Sequence, residues 1–218
     1  MAGSYLTFDT HGTDVEHELE VRRSRFLCAI RRVGTEEEAR AFVEGRRRLA
    51  PDATHHCSAY VLGGDRRVQR GDDDGEPGGT AGTPMLETLT RRGFSDVAAV
   101  VTRHFGGVLL GAGGLVRAYG RSVGETLDLA AETGAVVRMV PARLMAVAIG
   151  HAHAGRLEND MRASPYEVRE VGYGADVTVR AAVGEEELGR FREWVATVTA
   201  GRARVEPGDT VFVPDRAT

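Results

Sequence analysis

The sequence predicts an α+β protein with two domains, an α/β domain over residues 1–140 and a smaller domain over residues 141–218. Segments with strand and helix patterns alternate up to Arg138, and the pattern then restarts with a new order of elements. Pro141 lies between the two patterns, at a position where it would interrupt a strand. We therefore expect two domains with separate cores and separate sheets, which meet near residues 138–142.

The elements of the first domain follow from apolar runs and capping signals. Runs of strand length predict three strands, at Val21–Ile30, Ser58–Leu62 and Val97–Thr102. Thr35 and Glu38 form a capping box that begins a helix. Thr83 as N-cap, with Pro84 at the first helical position, predicts a second helix. A third helix is predicted by apolar residues at helical spacing, namely Leu115, Tyr119, Val123 and Leu127.

The second domain follows the order strand, helix, strand, strand, helix, strand. Strands are predicted at Leu144–Ile149, Tyr166–Val171, Asp176–Ala182 and Arg204–Val213. Helices are predicted at Gly155–Arg162 and from Leu188 to Val198. Pro207-Gly208 would break or bulge the last strand. This order of elements indicates a ferredoxin-like domain.

Composition narrows the classes of partner and the cellular location. With 28 basic and 32 acidic residues the net charge is −4, which argues against bulk attraction to nucleic acid but leaves room for a local basic patch. Every basic residue is an arginine, whose planar guanidinium suits phosphates and carboxylates. No apolar run approaches the roughly 20 residues of a membrane helix, so no membrane partner is expected. The polar N-terminus carries no pattern of a secretion signal, and Cys28 and Cys57 are expected to be free thiols, so we expect a cytoplasmic protein.

An acidic loop, residues 71–82, is the first candidate site. Its four carboxylates lie within five residues and repel one another unless a positive group lies among them: Asp72, Asp73, Asp74 and Glu76. Mg²⁺ would be a suitable partner, as would arginines such as Arg70 and Arg103. A solvated acidic turn is the alternative. We expect at least one of Asp73, Asp74 and Glu76 to be buried against an arginine, a backbone N–H group or a cation.

A glycine-rich segment after the third strand is the second candidate site. The candidate binding residues are Arg103, His104, Gly106, Gly107, Gly113, Gly114, Arg117 and Arg121. Glycines let a backbone approach a ligand closely, and the helix that follows offers free N–H groups to an anion. The same glycines could instead serve tight turns and close packing. Arg117 and Arg121 are one turn apart and could hold one anion together.

We expect the two loops to form one site, with Asp73, Asp74 or Glu76 beside Arg103, the glycine-rich segment or Arg117. Direct carboxylate–guanidinium contacts near about 3 Å would favour a structural site. Unpaired arginines in an open cleft would favour a binding site.

The cluster His55-His56-Cys57 permits a zinc or nucleophile interpretation, or that of a buried thiol beside a hydrogen-bonded histidine. A zinc site needs about four ligands, and no second cysteine pair is present. Adjacent side chains on a strand point to opposite faces, so only His55 and Cys57 could act together. Free cysteine is usually a small buried hydrophobe, which favours the buried thiol.

Three segments resemble the YigZ/IMPACT family: PDATHHCSAYVLG, DDDGEPGGTAGTPML and VAAVVTRHFGGVLLGAGGLVRAYG, in this order. The resemblance covers about Ser24 to Leu129. Asp72 and Gly78 stand where the family usually has serine, and His104 where it usually has tyrosine. The resemblance implies a first domain like the second domain of small-subunit ribosomal protein five and a second domain like the last domain of elongation factor G.

That pairing of domains implies contact with RNA or the ribosome, and eukaryotic relatives regulate translation. We therefore expect a non-enzymatic RNA-, ribosome- or protein-binding factor connected with regulation of translation. RNA phosphates would contact Arg103, Arg117 and Arg121, joined by Arg70. The alternative is a metal-assisted phosphoryl transferase or hydrolase that uses both loops, with Mg²⁺ as cofactor. The carboxylate density favours this enzyme, whereas the lack of a nucleophile–base pair and of a phosphate-loop lysine disfavours it.

Overall fold

The chain divides into two compact units, Met1–Met139 and Val140–Thr218, in a computed structural model that describes residues 3–9 and 12–215. Each unit mixes helices with strands, so the predicted α+β class is confirmed. One hydrophobic cluster of the first unit lies between its sheet and two helices, and a smaller one lies on the opposite face. The second unit has a cluster of its own. None of the helices in these described ranges is both long and apolar enough to cross a membrane.

The first unit contains a five-stranded antiparallel sheet with the strand order β2-β3-β6-β4-β5. Its elements are β1 (Tyr5–Phe8), β2 (Val15–Val21), β3 (Ser24–Arg32), α1 (Glu36–Leu49), β4 (His55–Leu62), β5 (Val68–Asp72), α2 (Gly82–Arg91), β6 (Val97–His104) and α3 (Ala112–Glu132). Alternate residues of β4 face opposite sides, as the two-residue period of a strand requires. Cys57 and Val61 pack with α2 and α3, whereas Tyr60 packs with Phe42 of α1. Helices therefore cover both faces of this sheet.

Three local predictions for the first unit differ from the structure. The single strand expected at Val21–Ile30 is a hairpin, because Arg22 and Arg23 turn the chain between β2 and β3. Residues 71 and 72 were expected in a loop, but they end β5, a polar and exposed edge strand without an apolar pattern. The second helix begins at Gly82 with Ala81 as N-cap, and Thr83 is therefore not its cap.

The second unit has the strand order β10-β7-β9-β8. Its elements are β7 (Val136–Ile149, which begins in the first unit), α4 (His151–Arg162), β8 (Glu167–Tyr173), β9 (Val177–Gly184), a 3₁₀ turn (Glu185–Glu187), α5 (Leu188–Thr199) and β10 (Arg204–Pro214). The predicted sequence of elements is present, and β10 continues through Pro207-Gly208, where a break was expected. The specific likeness to domains of ribosomal protein five and elongation factor G stays a prediction.

Pro141 was expected to interrupt a strand, but strand β7 runs through this position without a break. β1 pairs with Val136–Met139, and β9 pairs with Ala142–Ile149. Pro141 lies between these two paired segments, where neither ladder requires an N–H group from that position. The sheet β2-β3-β6-β4-β5 lies wholly in the first unit, β1 joins the other sheet through β7, and the hydrophobic clusters share no residue.

Candidate nucleic-acid interface

Asp73 in the acidic loop caps helix α2 from outside that helix. Its Oδ1 accepts hydrogen bonds from the backbone N–H groups of Ala81 (2.9 Å) and Gly82 (2.8 Å), and its Oδ2 accepts one from Gly79 (2.7 Å). Burial raises the pKa of the Asp73 carboxyl, but the three N–H donors outweigh burial and hold the pKa below its usual value. Because Asp73 satisfies these amide groups, the helix begins earlier than its own sequence indicates.

Asp74 ties the acidic loop to two neighbouring elements. Its Oδ1 accepts a hydrogen bond of 2.6 Å from Arg47 Nη2 in α1, and its Oδ2 accepts one of 2.6 Å from the backbone N–H of His56 in β4. Asp72 Oδ1 in turn accepts a bond of 2.8 Å from the backbone N–H of Asp74. The aspartates therefore hold the loop in place, and each one uses a different partner.

Glu76 is the buried carboxylate of the acidic loop, with 8% of the residue exposed. Its Oε1 accepts hydrogen bonds from Arg103 Nη1 (2.5 Å) and from the Tyr119 hydroxyl (2.7 Å). Arg103 itself is only 5% exposed. The prediction that an acidic-loop carboxylate contacts an arginine is confirmed. The short distances favour a structural role for this contact over an open site that binds a ligand. The contact joins the acidic loop to the end of β6 and to α3.

The thiol of Cys57 is part of the same buried network. Its Sγ lies 3.0 Å from the carbonyl oxygen of Asp73 and 3.3 Å from the Tyr119 hydroxyl oxygen. Burial raises the pKa of the Cys57 thiol, which keeps it protonated and unreactive. His56 lies on the other face and contacts the carbonyl oxygen of Ala50 at 3.1 Å. The interpretation as a buried thiol beside a hydrogen-bonded histidine is confirmed.

The acidic loop does not present a convergent set of metal ligands. Within residues 3–9 and 12–215, no group of three or more His, Cys, Asp or Glu side chains is arranged to hold a metal ion. Asp73, Asp74 and Glu76 each point to a separate protein partner. The three carboxylates of the acidic loop are therefore each engaged by a group of the protein.

Residues 105–111, here called the glycine loop, are fixed to the β2–β3 hairpin and to the chain before β4. The Phe105 N–H donates to Thr54 Oγ1 (3.1 Å), and the Gly106 N–H donates to Ser24 Oγ (3.2 Å). Gly106 lies so close to the backbone of Arg23 that a Cβ would have no room. Its role is close packing of the loop, one of the two roles considered for these glycines. Phe105 and Leu109 remain 45% and 81% exposed.

The other candidate glycines have separate roles. Gly107 has a φ of 81° with open space around it, so it supplies a left-handed turn. Gly113 and Gly114 lie in the first turn of α3, where Gly114 packs near the Cβ of Leu110. His104 ends β6, half-buried, with its Nδ1 3.9 Å from Asp52 Oδ2.

Two arginines form the tip of the β2–β3 hairpin. Val21 pairs with Ser24, so Arg22 and Arg23 are the two turn residues, with φ angles of 48° and 67°. A two-residue turn with positive φ at both positions usually contains asparagine or glycine, and other residues adopt it at a cost in energy. Both arginines are exposed, and among the described residues neither forms an ion pair.

Arg117 and Arg121 of α3 lie between two clefts. With Arg22 they line a cleft of about 250 Å³, and with Arg91 and Arg92 they line one of about 470 Å³ between α2 and α3. Arg121 Nε pairs with Glu125 Oε1 at 2.6 Å, whereas Arg117 has no ion pair in the described part of the chain. The turn, the glycine loop and the start of α3 together form a surface that we call the arginine surface. It comprises six residues: Arg22, Arg23, Phe105, Leu109, Arg117 and Arg121.

Only some of the arginines predicted to contact RNA lie on this surface. Arg117 and Arg121 do, whereas Arg103 is buried beneath it and paired with Glu76. Arg70 pairs in register with Tyr60, on the side of the sheet that α1 covers. The turn arginines Arg22 and Arg23 were not predicted. The alternating pattern of residues 15–21 could have indicated a separate strand and hence a turn after it.

Comparison with known proteins identifies the family. Residues 22–127 match the Impact N-terminal domain, and residues 147–202 match a domain of unknown function, DUF1949. The IMPACT family member YvyE of Bacillus subtilis is 42% identical over 98% of this chain and 95% of that protein. The chain belongs to the YigZ/IMPACT family. The whole arginine surface lies within its Impact N-terminal domain.

Other similar proteins match the chain to different extents. The IMPACT family member YigZ of Escherichia coli is 50% identical over 50% of this chain and 54% of that protein. The crystal structure of a hypothetical protein is similar with a TM-score of 0.76 and 32% identity, over 96% of this chain and 99% of the other. The two-domain translational regulator Yih1 matches 55% of this chain and 49% of its own, with 26% identity and a TM-score of 0.38, which is too low to indicate a shared overall structure.

Proposed function

We propose that this IMPACT family member is a non-enzymatic factor, connected with the regulation of translation, that binds RNA or the ribosome through the arginine surface. One observation carries the proposal. Arg22 of the β2–β3 turn and Arg117 of α3 line one cleft, Arg23 adjoins Arg22 in the turn, and none of the three forms an ion pair among the described residues. An unpaired guanidinium can donate two parallel hydrogen bonds to a phosphate.

The charge distribution supports a local rather than a global attraction. The chain as a whole carries a net charge of −4 and would be repelled by RNA at long range. Glu76 of the acidic loop is buried against Arg103, so its negative charge is neutralised. The acidic loop therefore repels RNA phosphates at the arginine surface less than its four carboxylates would indicate. Membership of the YigZ/IMPACT family supports the connection with translation. A cytoplasmic location is part of the same proposal.

Fluorescence anisotropy with a labelled RNA, measured from low to high salt, tests this function. We expect binding at about 50 mM salt and a marked loss of affinity by about 200 mM, because binding releases counterions from the phosphates. Arg117→Ala and Arg23→Ala should each weaken binding and lower the log–log salt slope by about 1. Arg156→Ala, an exposed helix arginine of the second unit, is the matched control and should bind like the wild type. If the wild type binds no RNA at low salt, the proposed function is wrong.

A connection with translation requires one further measurement. The wild type should cosediment with ribosomal subunits at low salt, and Arg117→Ala should reduce this cosedimentation while Arg156→Ala does not. Equal cosedimentation of all three proteins would show that the arginine surface is not the site of contact.

A further inference from the structure

The exposed phenyl ring of Phe105 has an unusual support inside the protein. The Arg103 guanidinium lies 5.5 Å from the centroid of the Phe105 ring and 5.3 Å from that of Phe26. Arg103 is held in turn by Glu76. A row of contacts therefore runs from the buried carboxylate to a ring that is 45% exposed. The ring is backed by a charged group that cannot move away without breaking a buried ion pair.

The backbone that carries this ring is also fixed. The N–H of Phe105 and that of the next residue, Gly106, both donate to side-chain hydroxyls, at 3.1 and 3.2 Å. Gly106 packs directly on the backbone of Arg23. The hairpin turn is therefore packed against the backbone of the loop that carries the ring. A rigid aromatic side chain loses little conformational entropy when a flat group binds to it.

The surroundings of the ring favour an anionic ligand that also carries flat apolar groups. Arg22 and Arg23 lie on the adjoining turn without ion pairs among the described residues, and Arg117 shares a cleft with Arg22. Leu109 of the same loop is 81% exposed. Single-stranded nucleic acid combines phosphates with unstacked bases, and proteins bind it with arginines and exposed aromatic rings. A fully paired duplex offers phosphates but keeps its bases stacked.

We propose that Phe105 is a stacking platform for an unpaired base of single-stranded RNA, whose phosphates contact Arg22, Arg23 and Arg117. This inference rests on the proposed function and adds the class of RNA and the residue that selects it. The acidic loop then acts on RNA binding indirectly. Glu76 positions Arg103, and Arg103 supports the ring.

The test compares two RNA probes with equal numbers of phosphates, one an unstructured single strand and one a fully paired, blunt-ended duplex. Phe105→Leu removes the aromatic face and keeps most of the apolar volume. We expect it to weaken binding of the single strand between about fivefold and a hundredfold, the range found for loss of one stacked base. The salt slope should not change, because no phosphate contact is lost. Phe105→Tyr retains the aromatic face and should bind like the wild type.

Leu49→Ala is the matched control, since it shortens an exposed apolar side chain at the end of α1, outside the arginine surface. It should change single-strand binding less than twofold, and Phe105→Leu should change duplex binding less than twofold. If wild-type protein binds RNA and Phe105→Leu binds the single strand equally well, the stacking platform is wrong while the proposed function stands. If the wild type binds neither probe at low salt, both are wrong, and a protein becomes the expected occupant of this loop.

Discussion

Glu76 and Arg103 are almost excluded from solvent, and each is the charge partner of the other. A buried charge is costly unless it is paired and hydrogen-bonded. Glu76 has a second donor in the Tyr119 hydroxyl, and Arg103 Nη2 lies 3.4 Å from Ser24 Oγ. A run of carboxylates that looks like a solvated turn in the sequence therefore contains one side chain that belongs to the protein interior.

The substitution Glu76→Gln should lower the free energy of unfolding by about 3–5 kcal/mol, because it leaves the Arg103 guanidinium buried without a counter-charge. Urea unfolding followed by circular dichroism measures this change. Glu87→Gln, an exposed carboxylate on α2, is the matched control and should stay within about 0.5 kcal/mol of the wild type. A loss below about 1 kcal/mol for Glu76→Gln would contradict the interpretation of a buried ion pair.

Helix α2 depends on a cap that lies far from its own first residue. Neither Ala81 nor any other residue at its start caps it with a side chain, and Asp73 satisfies the first amide groups instead. The folded-state pKa of Asp73 is lowered, so its ionised form stabilises the folded protein above the unfolded-state pKa. This contribution is lost as the pH falls through the lowered folded-state pKa.

The substitution Asp73→Asn should reduce stability at pH 7 by roughly 1–2 kcal/mol, the usual loss for a helix cap. It should also flatten the dependence of stability on pH below about 4, because the titrating group is gone. Thermal unfolding between neutral and acidic pH measures both effects. Asp52→Asn, whose side chain is 81% exposed, should leave the pH profile unchanged. An unchanged acid profile for Asp73→Asn would show that Asp73 does not cap the helix.

At the scale of the whole molecule, the hydrophobic clusters of the two units share no residue, although strand β7 runs from one unit into the other. Leu127 of α3 belongs to the largest cluster of the first unit, and Phe191 of α5 belongs to the cluster of the second. Both side chains are fully buried. Hydrophobic stabilisation is a local property of each cluster, because it depends on the area that each one removes from water.

The substitution Phe191→Ala should cost about 3–5 kcal/mol and increase amide hydrogen exchange in β8, β9 and α4, while amides of β3 and β6 stay protected. Leu127→Ala should have the reverse effect, so that each variant is the control for the other. Hydrogen exchange followed by mass spectrometry separates the two regions. Equal loss of protection in both units with either variant would contradict independent cores.

The sequence by itself determined the α+β class, the order of the elements after residue 140 and the family. Apolar periodicity, capping residues and long motifs are local signals, and each can be read without knowing what lies opposite in space. The adjacency of the two loops also followed from the sequence, since a cluster of carboxylates needs a positive group and Arg103 was available after the buried strand.

Only the tertiary structure decided which arginines stay free. Arg103 and Arg117 are equally plausible RNA ligands in the sequence, but folding buries Arg103 against Glu76 and leaves Arg117 exposed. Arg22 and Arg23 lie about eighty residues before the glycine loop, and only the β3–β6 ladder brings them beside it. Burial and charge pairing depend on contacts between distant segments, and no local pattern records which partner a side chain will meet.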